Sequence, residues 1–445
     1  MLNLYRSLKK HLKRHLPAPA TEQLKKWLHY LRTTVFKSGL YILQKPGAHW
    51  LPLQNLLQKK LHWRVLPITW LDQHPTQQPL TSSLQSLISP PGGASSSPTL
   101  TQAPAINLYQ FSKTSIQDSA TNFKQDTQVI IERIPELPIH QANYQTGNLL
   151  RHNQKNALVK CPPAQETIHT GIYLGGNGAY NYYHWLLEIL PKLGYLDQLP
   201  HLENIPLLLP QSVKTISSFQ DALQLYQTQT KRPLYYLTPH KTYRVNTLYV
   251  LNSPNLIAFN LRTPKPAPNQ LYLRPDTLWD IRSRALNMLK KEPLTNAEKA
   301  KLPRRFFVAR KPGSARAYNQ DEIIQQLKPL GIKPLYLEDL NFRQQIALFF
   351  QAEIIIGPSG AAWTNLVFVN PKAILVSWLP EHLQNFSGFS SLAETMGTHI
   401  HFIWSHSKND SLLHGRYHLN TQKLERLLHS LIDAPECSTT PDKKS

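Results

Sequence analysis

Two groups of residues in this chain have types and spacings that could do chemistry. The first is His184 and Glu188 in YNYYHWLLEILP, residues 180–191, which follows a strand-like stretch and the glycine turn GGNG at 175–178. Four residues apart, the two share a helix face, and Asn181 is placed to cap the helix start. A carboxylate bonded to an imidazole favours the protonated ring, so one of the pair could act as a general base while the other orients it. The same spacing also describes an ordinary ion pair on a solvated face. Two ligands at i and i+4 need a third to hold a metal and none is apparent nearby, so neither a metal nor another cofactor is expected.

The second group lies in EIIIGPSGAAWTNLVFVNPKAILVSW, residues 353–378. Ile354, Ile355 and Ile356 suit a buried strand that stops at Gly357 and Pro358. Gly357, Ser359, Gly360 and Ala361 then offer backbone N–H groups, and one hydroxyl, to an anion at the start of a helix. Small residues there also permit plain helix-to-sheet packing. Arg310 at the end of a strand and Arg316 in the loop KPGSARAYN after it fall on the same sheet edge. Two guanidinium groups beside such a turn would clamp a diphosphate through charge-assisted hydrogen bonds, unless either pairs with Glu338 or Asp339 on that edge.

Elements that must position these groups follow from hydrophobic periodicity. From residue 305 onward strands FFVAR, KPLYL, EIIIG, AILVSW and HIHFIW alternate with helices, the spacing of a parallel, doubly wound sheet with its ligand site at the carboxyl ends of the strands. Strand-like VIIERI, TGIYLGG, PLLLP and TLYVL in the first half lead to the same α/β class. The expected organisation is a basic helical region over 1–73, a Pro, Ser and Gln-rich linker or mobile loop over 74–105, an acceptor-side α/β domain over 106–270, a Rossmann-like domain over 271–433 and a disordered tail over 434–445.

Charge placement adds a partner. The formal net charge is +22, and residues 1–60 carry twelve Lys and Arg against the single acid Glu22, an excess of eleven. Leu4, Leu8, Leu12 and Leu16 alternate with basic residues in an amphipathic pattern, and a second basic helix from Thr21 to Phe36 includes Trp27 and Tyr30. Such segments suit an anionic membrane surface. A nucleic-acid arm would need a reading motif that is missing, so no nucleic acid is expected as partner. Cys161 and Cys437 form neither a disulfide framework nor a zinc spacing, and no run of about 18 apolar residues occurs. These features point to a cytoplasmic protein, peripheral on the inner membrane face.

Taken in order, NYYHWLLEILPKL, FFVARKPGSARAYNQ, DLNFRQQIALFFQAE and IIIGPSGAAWTNLVFVNP resemble glycosyltransferase family 61 over roughly residues 165–405. The resemblance implies two Rossmann-like domains in a GT-B-like fold and inverting transfer from a nucleotide-sugar, typically a UDP-sugar. It also implies a glycan or lipid-linked acceptor and, in bacterial members, a role in capsule or surface polysaccharide assembly. On that reading His184 or Glu188 is the base, while Arg310, Arg316, Gly357, Ser359, Gly360 and Ala361 bind the diphosphate and Glu338 the ribose. The chain departs from the family in having Ser359 where many members have His, and Asn319-Gln320 in place of Asn-Glu. Those departures motivate the rival reading, a catalytically silent carbohydrate-binding or scaffold protein.

Overall fold

Five parallel strands form the sheet of the second half: Arg305–Val308, Lys333–Leu335, Ile354–Pro358, Ile374–Pro380 and Ile400–Ser405. In space the second strand lies outermost, followed by the first, third, fourth and fifth. The computed structural model describes residues 18–46, 50–91, 97–133, 142–176, 178–227, 232–257, 271–312, 318–405 and 417–433. Helices cover this sheet on both faces, which is why its central strands read as unbroken apolar runs. Helix Phe342–Gln351 starts at a reciprocal cap: the Asn341 side chain accepts from the Gln344 N–H, and the Gln344 side chain accepts from that of Asn341. Because the chain order reverses between the first and third strands, a crevice opens beyond their carboxyl ends. The five strands expected here are all present and all parallel.

The first half departs from the Rossmann-like expectation. Its large sheet has eleven strands and is mixed: Leu234–Leu237, Leu207–Pro210, Glu166–Tyr173 and Tyr243–Leu251 run parallel, but Asn107–Ile116, Asn122–Gln125 and Gln128–Ile131 form an antiparallel meander. The reason is turn length. Only two residues separate Gln125 from Gln128, with Asp126 at φ 46°, and a parallel partner would need a crossover of a dozen residues or more.

Two expected boundaries also shift. Helix Ala18–Gln44 packs Phe36 and Leu40 on Trp63, with Gly39 so close that a Cβ there would come within 2.5 Å of the indole. Trp63–Trp70 is already a strand of the sheet, pairing with Gln128–Ile131 and Asn156–Lys160, so the helical region ends before residue 73. Residues 1–17 and 434–445 lie outside the described residues, with the amphipathic pattern and the tail assigned to them. Among the described residues no helix is long and apolar enough to cross a membrane.

The stretch expected as a linker contains structure instead. Gln77–Pro79 adds to the large sheet, and Leu84–Ile88 pairs with Thr99–Ala103. That hairpin is stitched to the second half: Leu273 N–H donates to Ser86 Oγ at 2.7 Å, and Ser89 N–H donates to Ser391 Oγ at 2.9 Å. Polar composition suggested solvent, but here serine hydroxyls satisfy buried backbone groups. The fully buried Arg274 donates to the carbonyls of Ser82 and Pro104 at 3.0 and 2.9 Å and pairs with Asp276 at 2.8 Å. One continuous apolar core, with Trp185 and Leu209 from the first half and Phe306 and Trp363 from the second, runs beneath both sheets. Arg274→Met leaves two carbonyls without their donor and should lower the urea midpoint by the equivalent of about 2–3 kcal/mol, with the m-value unchanged.

Candidate active site

Strand Glu166–Tyr173 ends in a glycine turn from which the His184 helix departs, as the motif implies. Asn181 caps it by accepting the Tyr183 N–H at 2.9 Å. From His184 to Ile189 the helix is wider than an α-helix, with the Leu190 N–H reaching back five residues to Trp185 O at 2.9 Å. The sequence supplies a cause. Pro191 has no N–H to give the Leu187 carbonyl four residues earlier, and the fully buried Asn255 side chain donates to that carbonyl instead, at 2.7 Å. Gly178 has φ 71°, and a Cβ there would approach His184 Cδ2 to 2.5 Å, so only glycine both makes the turn and admits the ring.

His184 and Glu188 are both buried, at 4% and 7% exposure, which removes the solvated-face reading. Imidazole Nδ1 lies 2.7 Å from Glu188 Oε2, and Glu188 Oε1 accepts the Ile257 N–H, also at 2.7 Å. Burial pushes the His184 pKa down, but the Glu188 charge and hydrogen bond outweigh it and the net direction is up. The pair opens onto a cavity also lined by Glu132, Lys192, Tyr173 and Ser253.

At the second group, the structure divides the expected donors. Gly357 lies inside the third strand and contacts the first, where a Cβ would come within 2.9 Å of Val308 Cβ; its observed role is close strand approach. Ser359 N–H is taken by the Trp378 carbonyl at 3.2 Å. Gly360 and Ala361 open a 3₁₀ turn, Ala361–Phe368, whose first N–H groups lack partners within the turn. Arg310 reaches this turn and donates to Ser359 O at 2.9 Å, with its guanidinium 5.8 Å from the centre of the Tyr318 ring. Asp339 pairs with Lys311, and Glu338 stands exposed on the same edge. Arg316 lies outside the described residues. Among the described residues no group of three or more His, Cys, Asp or Glu is placed to hold a metal ion.

The two groups are tied together through the first. Tyr182 Oη donates to Asn365 Oδ1 at 2.7 Å, linking the start of the His184 helix to the turn after GPSGAA, and Asn365 Nδ2 donates to Gln345 Oε1 at 3.0 Å. Sequence reasoning missed Glu132, Asn255 and Lys192. Lys192 had a signal, because it sits one further turn along the face of His184 and Glu188; the other two come from distant loops with none. Gln320, suspected as a departure from the family, has a clear task. Its amide oxygen accepts the Arg310 N–H at 2.7 Å and its amide nitrogen donates to the Arg310 carbonyl at 2.9 Å. A carboxylate could accept but not donate there, so Gln320→Glu should cost about 1–2 kcal/mol in denaturant unfolding; a neutral or stabilising result would remove this role.

Residues 182–376 match the family model for Glycosyltransferase 61, which brackets both groups. No curated protein matches the chain. The motifs, the buried pair and the cationic turn all fall within or beside this match, so over residues 182–376 the chain is similar to glycosyltransferase family 61.

Proposed function

We propose that this glycosyltransferase transfers a sugar from a nucleotide-sugar, a UDP-sugar by preference, to a glycan or lipid-linked acceptor with inversion, in a GT-B-like arrangement. The mixed sheet carries the acceptor side and the parallel sheet the donor. One observation supports this most: both oxygens of Glu188 are occupied, one by His184 and one by Ile257 N–H, so Glu188 orients and His184 is the base. With Nδ1–H held by the carboxylate, Nε2 takes the acceptor hydroxyl proton as that oxygen attacks the anomeric carbon from the face opposite the diphosphate. Charge then grows on the departing diphosphate. Arg310 brings a permanent positive charge to the Gly360–Ala361 turn at the switch point of the sheet, and preorganised donors of this kind stabilise a leaving group by about 2.7–4 kcal/mol each. In this reading Ser359 gives its hydroxyl and Arg316 its charge to the diphosphate, and Glu338 binds the ribose.

The pathway we infer is surface polysaccharide synthesis at the cytoplasmic face of an anionic membrane. Helix Ala18–Gln44 buries Phe36 and Leu40, yet its opposite side exposes Trp27, Tyr30 and Tyr41 beside basic residues. Aromatic rings exposed next to Lys and Arg suit a headgroup region. The catalytically silent scaffold reading loses one of its two motives, since Gln320 is explained by its bond to the Arg310 backbone.

Three outcomes are expected. UDP and its sugar conjugates raise the melting temperature by mass action, and Arg310→Ala abolishes the shift; no nucleotide diphosphate stabilising the wild type would end the donor assignment. Turnover requires neutral His184, so it rises with pH through a pKa above the ordinary histidine value. Glu188→Gln removes the raising charge while burial still lowers the pKa, so the acid limb moves to lower pH and kcat falls about 10²-fold or more; an unmoved limb counts against the pair. Replacing Trp27, Tyr30 and Tyr41 together by Ser should weaken sedimentation with phosphatidylserine vesicles about tenfold or more at unchanged melting temperature, and unaltered sedimentation would exclude this surface.

A further inference from the structure

Lys192 is the one member of the His184 helix face that the chemistry above leaves unused. It lies two turns beyond His184, at 3% exposure, at the start of helix Lys192–Leu196. Among the described residues its ammonium has neither an ion-pair nor a hydrogen-bond partner, and the residue lines the cavity onto which His184 and Glu188 open. A desolvated ammonium without acceptors is costly, and burial accordingly pushes its pKa down, opposed by the charges of Glu132 and Glu188. Across the same cavity Glu132 is held from behind by Ser253, whose N–H and hydroxyl both donate to its carboxylate, the hydroxyl at 3.2 Å. The remaining lining is partly apolar, with Phe123, Leu256 and Ile257 among it.

We propose that this cavity is a sugar-hydroxyl subsite in which Lys192 donates to, and Glu132 accepts from, neighbouring hydroxyls of a neutral glycan acceptor, presenting the reacting hydroxyl to His184. The inference rests on the transferase reading and adds a substrate class to it. A hydroxyl is both donor and acceptor, so one sugar edge satisfies an ammonium and a carboxylate together, while C–H faces cover the apolar wall. An acidic sugar fits worse. Its carboxylate would enter a space where, among the described lining residues, Glu132 and Glu188 face the one cation Lys192 and the carboxylate-paired His184, and like charges in a low-dielectric cavity repel strongly. The subsite therefore selects neutral over uronic residues.

Saturation-transfer NMR on the full chain tests this with methyl glycosides of glucose, galactose, mannose and xylose against methyl glucuronide. At least one neutral glycoside should bind, and methyl glucuronide should bind about tenfold more weakly than methyl glucoside. Lys192→Met and Glu132→Gln should each weaken neutral binding about tenfold or more. Lys192→Met replaces a desolvated charge by an apolar chain of similar shape, so its melting temperature should hold or rise. If that variant does not fold, Glu132→Gln carries the test alone. Three results overturn the proposal: no neutral glycoside bound by the wild type, undiminished binding in the variants, or glucuronide bound as well as glucoside. Parallel titration with UDP separates the two claims, since glycoside binding without nucleotide stabilisation keeps the subsite and loses the transferase, and the converse keeps the transferase and loses the subsite.

Discussion

The buried hydrogen bond between His184 and Glu188 is the constraint around which this molecule is built. An imidazole and a carboxylate removed from water are each costly, and they persist only where every remaining polar atom is met. Here Ile257 N–H meets the second carboxylate oxygen, Gly178 leaves room for the ring, and Asn255 takes over the carbonyl that Pro191 cannot serve. Asn255 in turn accepts the Arg274 N–H at 2.6 Å, and Arg274 holds the hairpin that reaches helix Gly388–Thr395 at Ser391. The chain of contacts from the buried pair to the hairpin is thus short. Its members come from four distant stretches of sequence.

Such an arrangement explains a helix that departs from α geometry where it matters. A wide turn shifts the residues after it relative to an ideal helix, and it survives because Asn255 and the core around Trp185 over-determine it. On the opposite side the parallel sheet needs no such device. Its switch point places Arg310 and the Gly360 turn together through topology alone, and Gln320 fixes the Arg310 backbone at both its donor and its acceptor.

Legibility in the sequence followed this difference. The second half, built from local strand and helix units with continuous apolar runs, was readable in its strands: Ile354–Pro358 starts with the isoleucine run and stops at Gly357 and Pro358 as expected. In the first half VIIERI, TGIYLGG, PLLLP and TLYVL were readable as strands, but their pairing into a mixed sheet was not. Its meander depends on two-residue turns such as that at Asp126, which carry little periodic signal, and residues 74–105 hid a hairpin because buried serines look like linker serines. The chemical pair was visible from its spacing and its motif, but not its burial. Glu132, Asn255 and Ile257 reach it through tertiary contacts that no local pattern encodes, whereas Lys192 was legible as the next turn of the same face.

The most direct test of the account is the protonation of His184 itself, followed by ¹⁵N NMR of the imidazole against pH in the wild type. A base oriented by a buried carboxylate titrates above the ordinary histidine value and, once neutral, keeps its proton on Nδ1 toward Glu188, which makes Nε2 the basic nitrogen. Titration at or below the ordinary value, or a neutral ring protonated on Nε2, would contradict the assignment of His184 as the base of this transferase.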